Sequence, residues 1–225
     1  MKKLLIISII CYTFCISDIK AQFSVGVKFG ANWSSLTGYN VPEGSKAVLN
    51  RDNVFGAALD YSLNKNLSLQ SEFLYSGKGD AQENSDGTNL TKFNMNYLEI
   101  PMLAKYTFGK KTLKSYVIAG PYLAYWINGA TEWTDNQSLN EQSYSFANVF
   151  LPDNKTVLTN NRLDYGFDLG AGLSYAFGPG NLILDARYEY GLTSYNGYIG
   201  SKPANFTSHD NRVLALTAGY MYKLD

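Results

Sequence analysis

Tyr97-Leu98-Glu99-Ile100-Pro101-Met102-Leu103-Ala104-Lys105-Tyr106-Thr107-Phe108 divides by parity into two unlike faces. Leu98, Ile100, Met102, Ala104, Tyr106 and Phe108 make an unbroken apolar row, whereas Tyr97, Glu99, Pro101, Leu103, Lys105 and Thr107 mix ions with bulk. Side chains two apart share one face of a strand. A carboxylate and an ammonium in so apolar a segment point to lipid on the first face and a closed polar interior on the second.

The same alternation recurs on both sides of this stretch. Residues 23–33 set Phe23, Val25, Val27, Phe29, Ala31 and Trp33 against Ser24, Gly26, Lys28, Gly30 and Asn32. Residues 53–63 set Phe55, Leu59 and Tyr61 against Gly56, Ala58 and Asp60, and residues 67–77 set Leu69, Phe73 and Tyr75 against Gln70, Glu72 and Ser76. The cleanest case is 163–177, where Leu163, Tyr165, Phe167, Leu169, Leu173, Tyr175 and Phe177 oppose Asp164, Gly166, Asp168, Gly170 and Gly172. Leu182, Leu184, Tyr188 and Tyr190 then oppose Asp185, Arg187 and Glu189, and the last strand presents Leu214, Leu216, Ala218, Tyr220, Tyr222 and Leu224. Residues 115–127 are apolar on both faces, so their parity stays open.

With the opening stretch the count is eight strands. Polar segments 34–52, 78–92, 128–162 and 193–210 alternate with short turns at 64–66, 109–114 and 178–180. Long and short connections in strict alternation, on strands whose uncharged face is the apolar one, predict an all-β, antiparallel, up-and-down transmembrane barrel with its short turns and both termini periplasmic. A soluble ligand-binding barrel would reverse the faces. Outward aromatics fall into two rims: Tyr61, Tyr106, Phe108, Tyr175, Phe177 and Tyr222 toward the short turns, and Trp33, Tyr75, Tyr165, Tyr188 and Tyr190 toward the long loops. Such girdles suit the headgroup level of a bilayer.

Composition agrees with this reading. Lys2 and Lys3 precede an apolar run over residues 4–16, too short for a membrane helix, and Ala21 offers a cleavage point, so residues 1–21 are expected to be a signal peptide and 22–225 the barrel domain. A lipoprotein signal is the weaker reading, because no small residues precede Cys11 or Cys15. Both cysteines leave with the leader, so the mature chain has no disulfide, thiolate metal site or cysteine nucleophile. Sixteen basic and 18 acidic residues remain, which gives nucleic-acid binding no electrostatic support.

Tyr97-Leu98-Glu99-Ile100-Pro101-Met102-Leu103-Ala104-Lys105-Tyr106 resembles the Y-L-E-I-P-x-L-x-K-Y signature of the PorT-like outer-membrane β-barrel proteins. Gly26-Val27-Lys28-Phe29-Gly30, Gly120-Pro121-Tyr122, Gly170-Ala171-Gly172-Leu173, Arg187-Tyr188 and Gly219-Tyr220 match in order, so the resemblance covers most of the mature chain. It implies an eight-stranded, porin-like barrel in a Gram-negative outer membrane, and one namesake group serves protein secretion. The terminal Tyr222-Lys223-Leu224-Asp225 departs from the aromatic ending common in such chains.

Inward parity collects Lys28, Lys105 and Arg187 with Asp60, Glu72, Glu99, Asp164, Asp168, Asp185 and Glu189. In a barrel just wide enough to be filled by side chains these are expected to pair rather than line a conduit, Lys28 with Asp60 and Lys105 with Glu72. Pro101 and Pro121 in adjacent strands predict a bulge or irregular pairing where they meet. Ser208-His209-Asp210 carries the only histidine, but three consecutive residues point apart, so it is expected to be a loop feature and no catalytic residue is assigned. Asp80, Glu83 and Asp86 fit no calcium-loop spacing, and no metal or cofactor is expected. Trp133, Phe146 and Phe150 in the longest loop are the candidates for partner contact.

These features predict a monomeric, non-enzymatic barrel whose neighbours are membrane lipid and a protein met through its loops. Two other readings are an accessory part of a secretion apparatus and a lipid-modifying barrel enzyme built on His209.

Overall fold

The computed structural model describes residues 23–38, 41–87, 89–109, 112–135, 138–146, 149–150, 157–200, 202–203 and 206–224. The predicted signal peptide, residues 1–21, lies outside the described residues. The elements are β1 (Phe23–Leu36), β2 (Ser45–Val48), β3 (Asn50–Ser62), β4 (Leu67–Asn84), β5 (Leu90–Phe108), β6 (Leu113–Asp135), β7 (Ser138–Ser143), β8 (Val149–Phe150), β9 (Val157–Asn160), β10 (Leu163–Phe177), β11 (Gly180–Ser194), β12 (Asn196–Ile199) and β13 (Asp210–Leu224). No helix among the described residues is long and apolar enough to cross a membrane.

Eight of these strands form a ring. β1, β3, β4, β5, β6, β10, β11 and β13 each pair antiparallel with the next, and β13 returns to β1 along Phe23↔Leu224 through Leu36↔Asn211. Closure leaves the ring no edge, so every strand has a ladder on both sides, as a span through lipid demands. Val27, Phe29, Met102, Phe167 and Leu169 on the outer face are more than half exposed, while Lys28, Glu72, Glu99, Asp168 and Arg187 on the inner face are buried. The ions are inside and the hydrocarbon outside, the reverse of a water-soluble barrel.

Strand lengths divide the molecule along its axis. A tilted strand crosses a bilayer in about 9–11 residues, yet β4, β5 and β6 run 18, 19 and 23 residues. Beyond the ring they continue as a sheet in the order β2-β4-β5-β6-β7. The segments 78–92 and 128–162, expected to be loops, therefore begin inside strands. Their polar composition carries no apolar alternation to read, although Lys78, Asp80 and Ala81 of β4 are buried. A second small sheet, β12-β9-β8, joins the end of the 128–162 segment to the 193–210 segment.

β6 turns Tyr116, Ile118, Tyr122, Ala124 and Trp126 inward and leaves Leu113, Val117, Leu123 and Tyr125 exposed. Its parity is decided by its neighbour: the register sets Tyr116, Ile118 and Tyr122 opposite Gly172, Gly170 and Gly166 of β10. A Cβ at Gly172 would collide with the Tyr116 ring, and one at Gly166 with the Tyr122 ring. The glycines of β10 thus make room for the aromatics of β6.

The prolines bring the irregular pairing expected of them, without a bulge. The β5–β6 pairing reaches Pro101↔Tyr122, skips two steps and resumes at Ala104↔Ala119 in the same register. The register shift lies higher, between Asn96 and Tyr97, where Ile127 is the extra residue on β6. A bulge there lets Trp126 and the partner of Met95, Gly129, share the inner face. At the opposite end Gly178, at φ +56°, fills the first central position of the two-residue turn before Pro179, the place where a type II′ hairpin requires glycine.

Substituting Gly172→Val is expected to push Tyr116 off its seat and to destabilise the barrel by about 1–3 kcal/mol, read as a lowered unfolding midpoint in detergent; Ala171→Val on the outer face should change it little.

Candidate functional site

The inner faces stack into layers. Nearest the short turns, Lys105 lies 3.0 Å from Asp60 and donates to Gln70 at 3.1 Å, while Ser68 donates to Asp60 at 3.1 Å. Above it Arg187 grips Glu72 with two hydrogen bonds of 3.0 Å and reaches Asp168 at 3.4 Å. Lys28 joins the same layer, 2.8 Å from Glu72 and 3.0 Å from Asp185, which also accepts hydrogen bonds from Tyr116 and Thr217 at 3.1 Å. A third layer centres on Lys78, 2.6 Å from Glu99, 2.7 Å from Glu189 and 4.5 Å above the Tyr122 ring. Asp164 completes it, accepting from Thr193 at 2.8 Å and Asn211 at 2.9 Å.

Two pairings differ from those predicted. Lys28 meets Glu72 rather than Asp60, and Lys105 meets Asp60 rather than Glu72. The cause is the row of small residues between partners. Lys28 is flanked across the ladders by Gly56 and Gly219, so its stem passes over both strands to acids on β4 and β11. Lys105 has Ser68 as its β4 partner and likewise reaches past it to β3. The polar segment that holds Lys78 reads as loop in sequence, yet Lys78 sits fully buried at the hub of the third layer. Its even parity, continuing Gln70, Glu72 and Ser76, was the available signal.

An aromatic cap closes the lumen on the loop side. Trp126, fully buried, holds Phe146 at 4.7 Å, Tyr144 at 4.8 Å, Phe93 at 6.0 Å and Tyr195 at 6.1 Å. Burial in this cap raises the Tyr144 hydroxyl above the ordinary tyrosine range, against the opposing hydrogen bond from Asn160. Phe146 is therefore a cap residue that stacks inward and under the Arg162 guanidinium at 4.2 Å, not a free contact. Trp133 is half-buried in β6 between Thr91 and Asn140, and Phe150 lies in β8 opposite Val157.

His209 stacks on Tyr195 at 5.7 Å and its Nδ1 lies 2.9 Å from the Thr37 carbonyl, while Ser208 donates to Asp210 at 2.7 Å. The three residues do not converge into a relay. Asp80 is buried, accepting from the Leu36 amide at 3.2 Å, and Glu83 pairs with Lys46 at 3.0 Å. No group of three or more His, Cys, Asp or Glu among the described residues is arranged to hold a metal ion.

On the outside, Tyr106, Phe108, Tyr175, Phe177 and Tyr222 are exposed at the short-turn end, where Tyr61 packs on Phe23 at 4.9 Å. Tyr165, Tyr188 and Tyr190 are exposed toward the other end, with Trp33 half-buried and Tyr75 stacked on Phe55 at 5.1 Å.

A closed eight-stranded ring with an apolar, aromatic-banded exterior and an ion-filled interior defines a transmembrane β-barrel. The family model described as an outer membrane protein beta-barrel domain matches residues 17–196, and the chain belongs to that family of the outer membrane. No curated protein matches the sequence. Among solved structures it is similar to Neisserial surface protein A, with 16% identity, 90% of this chain and 97% of that chain covered and a TM-score of 0.49. OprG from Pseudomonas aeruginosa shares 13% identity over 91% of this chain and 96% of its own, with a TM-score of 0.48. For Ail, the attachment invasion locus protein of Yersinia pestis, the figures are 15%, 92%, 100% and 0.43.

Replacing Lys78 by Met leaves Glu99 and Glu189 without their cation in a buried layer. Lys78→Met is expected to cost about 3–5 kcal/mol in urea unfolding from lipid vesicles, whereas Lys46→Met, at a partly exposed pair, should cost less than about 1 kcal/mol.

Proposed function

We propose that the protein is a non-catalytic outer-membrane barrel with a side-chain-filled lumen, and that its work is contact: the sheet projecting beyond the ring displays a surface to a protein partner. The observation that carries this reading is the unpaired flank of β7. Among the described residues β7 pairs with β6 alone, and no described strand is laddered to its other side. Exposed edges of this kind accept an extended segment as an added strand. Leu139 in β7 is 72% exposed and supplies an apolar anchor beside that edge.

The filled lumen supports the non-conducting half of the proposal. Three ionic layers and the Trp126 cap occupy the axis, so solute has no continuous path. The monomeric barrel sits in lipid by its two aromatic rims, Tyr106, Phe108, Tyr175, Phe177 and Tyr222 at the periplasmic level and Trp33, Tyr75, Tyr165, Tyr188 and Tyr190 at the outer one. A second reading, accessory membership of a secretion apparatus, rests on the resemblance of Tyr97–Tyr106 to PorT-like barrels, one group of which serves secretion, and needs a secretion component as the partner.

A photo-crosslinking residue at Glu141 in intact cells is expected to capture a defined protein, with Leu139→Glu lowering the yield at least about threefold. Recovery of secretion components selects the second reading, and failure to capture any protein overturns the contact role. In planar bilayers the purified barrel is expected to pass no large, steady single-channel current; such currents would refute the filled lumen.

A further inference from the structure

Below the Lys105–Asp60 layer the lumen widens into a blind cup of about 590 Å³ that opens at the short-turn mouth. Its floor is built: Lys105 and Asp60 are both buried, and their charges are tied to each other and to Gln70 and Ser68. Its wall takes the inward position of every strand at that rim: Ser24, Thr107, Ser174 and Asn181 give it hydroxyls and an amide, and Ile183 and Met221 give it an apolar patch. Lys65 in the β3–β4 turn, Lys114 at the start of β6 and Lys223 at the end of β13 stand around the opening. Asp60 is the only carboxylate among the described residues lining the cup, and Lys105 holds it.

We infer that this cup is a binding site for a small polyanion carrying phosphate or carboxylate groups. Three exposed lysines line a concave, donor-rich space whose one carboxylate among the described residues is already held by Lys105, and like charges around such a mouth raise the local concentration of anions. A volume of this size lies in the range of small-ligand sites. The ion layers above seal it, so the ligand enters and leaves from the mouth, which faces the periplasm in this class of barrel. The site is independent of the projecting sheet: it concerns the opposite end of the barrel and stands or falls separately from the contact role.

Lys114 and Lys223 share inward parity with Tyr116 and Met221, so they belong to the wall rather than to the lipid belt. That placement separates a ligand in the cup from headgroups gathered at the outer rim.

The test is calorimetric titration of the purified full chain in zwitterionic detergent at low salt, with sodium pyrophosphate and with a tetraglutamate peptide as probes. At least one probe is expected to bind with a Kd below about 1 mM, weakening as salt is raised. The triple variant Lys65→Gln, Lys114→Gln, Lys223→Gln should weaken that binding by roughly tenfold or more, whereas Lys46→Gln at the other end leaves it unchanged. Each of the three also titrates as a single variant, and a folded barrel is verified by its unfolding midpoint. Preference for pyrophosphate assigns a phosphate ligand and preference for the peptide a carboxylate one. Silence from both probes at about ten times that concentration, or equal binding by the triple variant, overturns the site.

Discussion

Rolling eight strands into a ring gives each strand a partner on both sides at the cost of a lumen, and that lumen has to be filled with something that holds its shape. Here the filling is ionic in the middle and aromatic at one end, and the consequences run outward from that choice. Buried ions must be met by partners at hydrogen-bond distance, so the strands cannot slip by a residue without carrying Lys78 away from Glu99 and Glu189, or Arg187 away from Glu72. Hydrocarbon offers the outer face no comparable specificity, because one aliphatic side chain meets lipid as well as another. The register of the barrel is held from inside.

The interior also explains composition that the outer face leaves unaccounted for. Glycines beside Lys28 let one ammonium serve acids on strands that are not neighbours in the ring. Those of β10 receive the rings of β6. Small residues are therefore placed opposite large or long ones across the ladder, which is how a narrow lumen is packed to density without strain. The bulge at Ile127 belongs to the same economy of space, since it turns β6 so that Trp126 can sit under the loops with Tyr144 and Phe146 around it.

Much of this architecture was legible from parity alone. Leu163 to Phe177 alternates without exception, so its faces, its span and the sidedness of the barrel follow from period two. β6 resisted because a strand that faces lipid on one side and aromatic packing on the other is apolar on both. Lys78 and the projecting parts of β4 and β5 resisted because their sequence is polar and carries no apolar alternation, so it looks like loop. Ion partners were misassigned between Lys28 and Lys105 because adjacency along a ladder is a poor guide where glycine and serine let a long side chain cross a strand. The candidate surfaces were the least legible: Phe146 read as an exposed aromatic, and its ring is spent on Trp126 instead.

The ring has a single pairing between strands distant in sequence, β1 with β13, and this seam is where an up-and-down barrel completes itself. Lys28 belongs to the first strand of the seam, yet its ammonium is bound to Glu72 on one side and Asp185 on the other, two strands from β1 in the first half of the chain and two in the second. A zipper of backbone bonds joins the margins, and one lysine acts as a tie bar behind it. Opening the seam would leave Lys28 with Glu72 and carry Asp185 away from it, so the latch of the closed barrel lies beneath the join rather than along it.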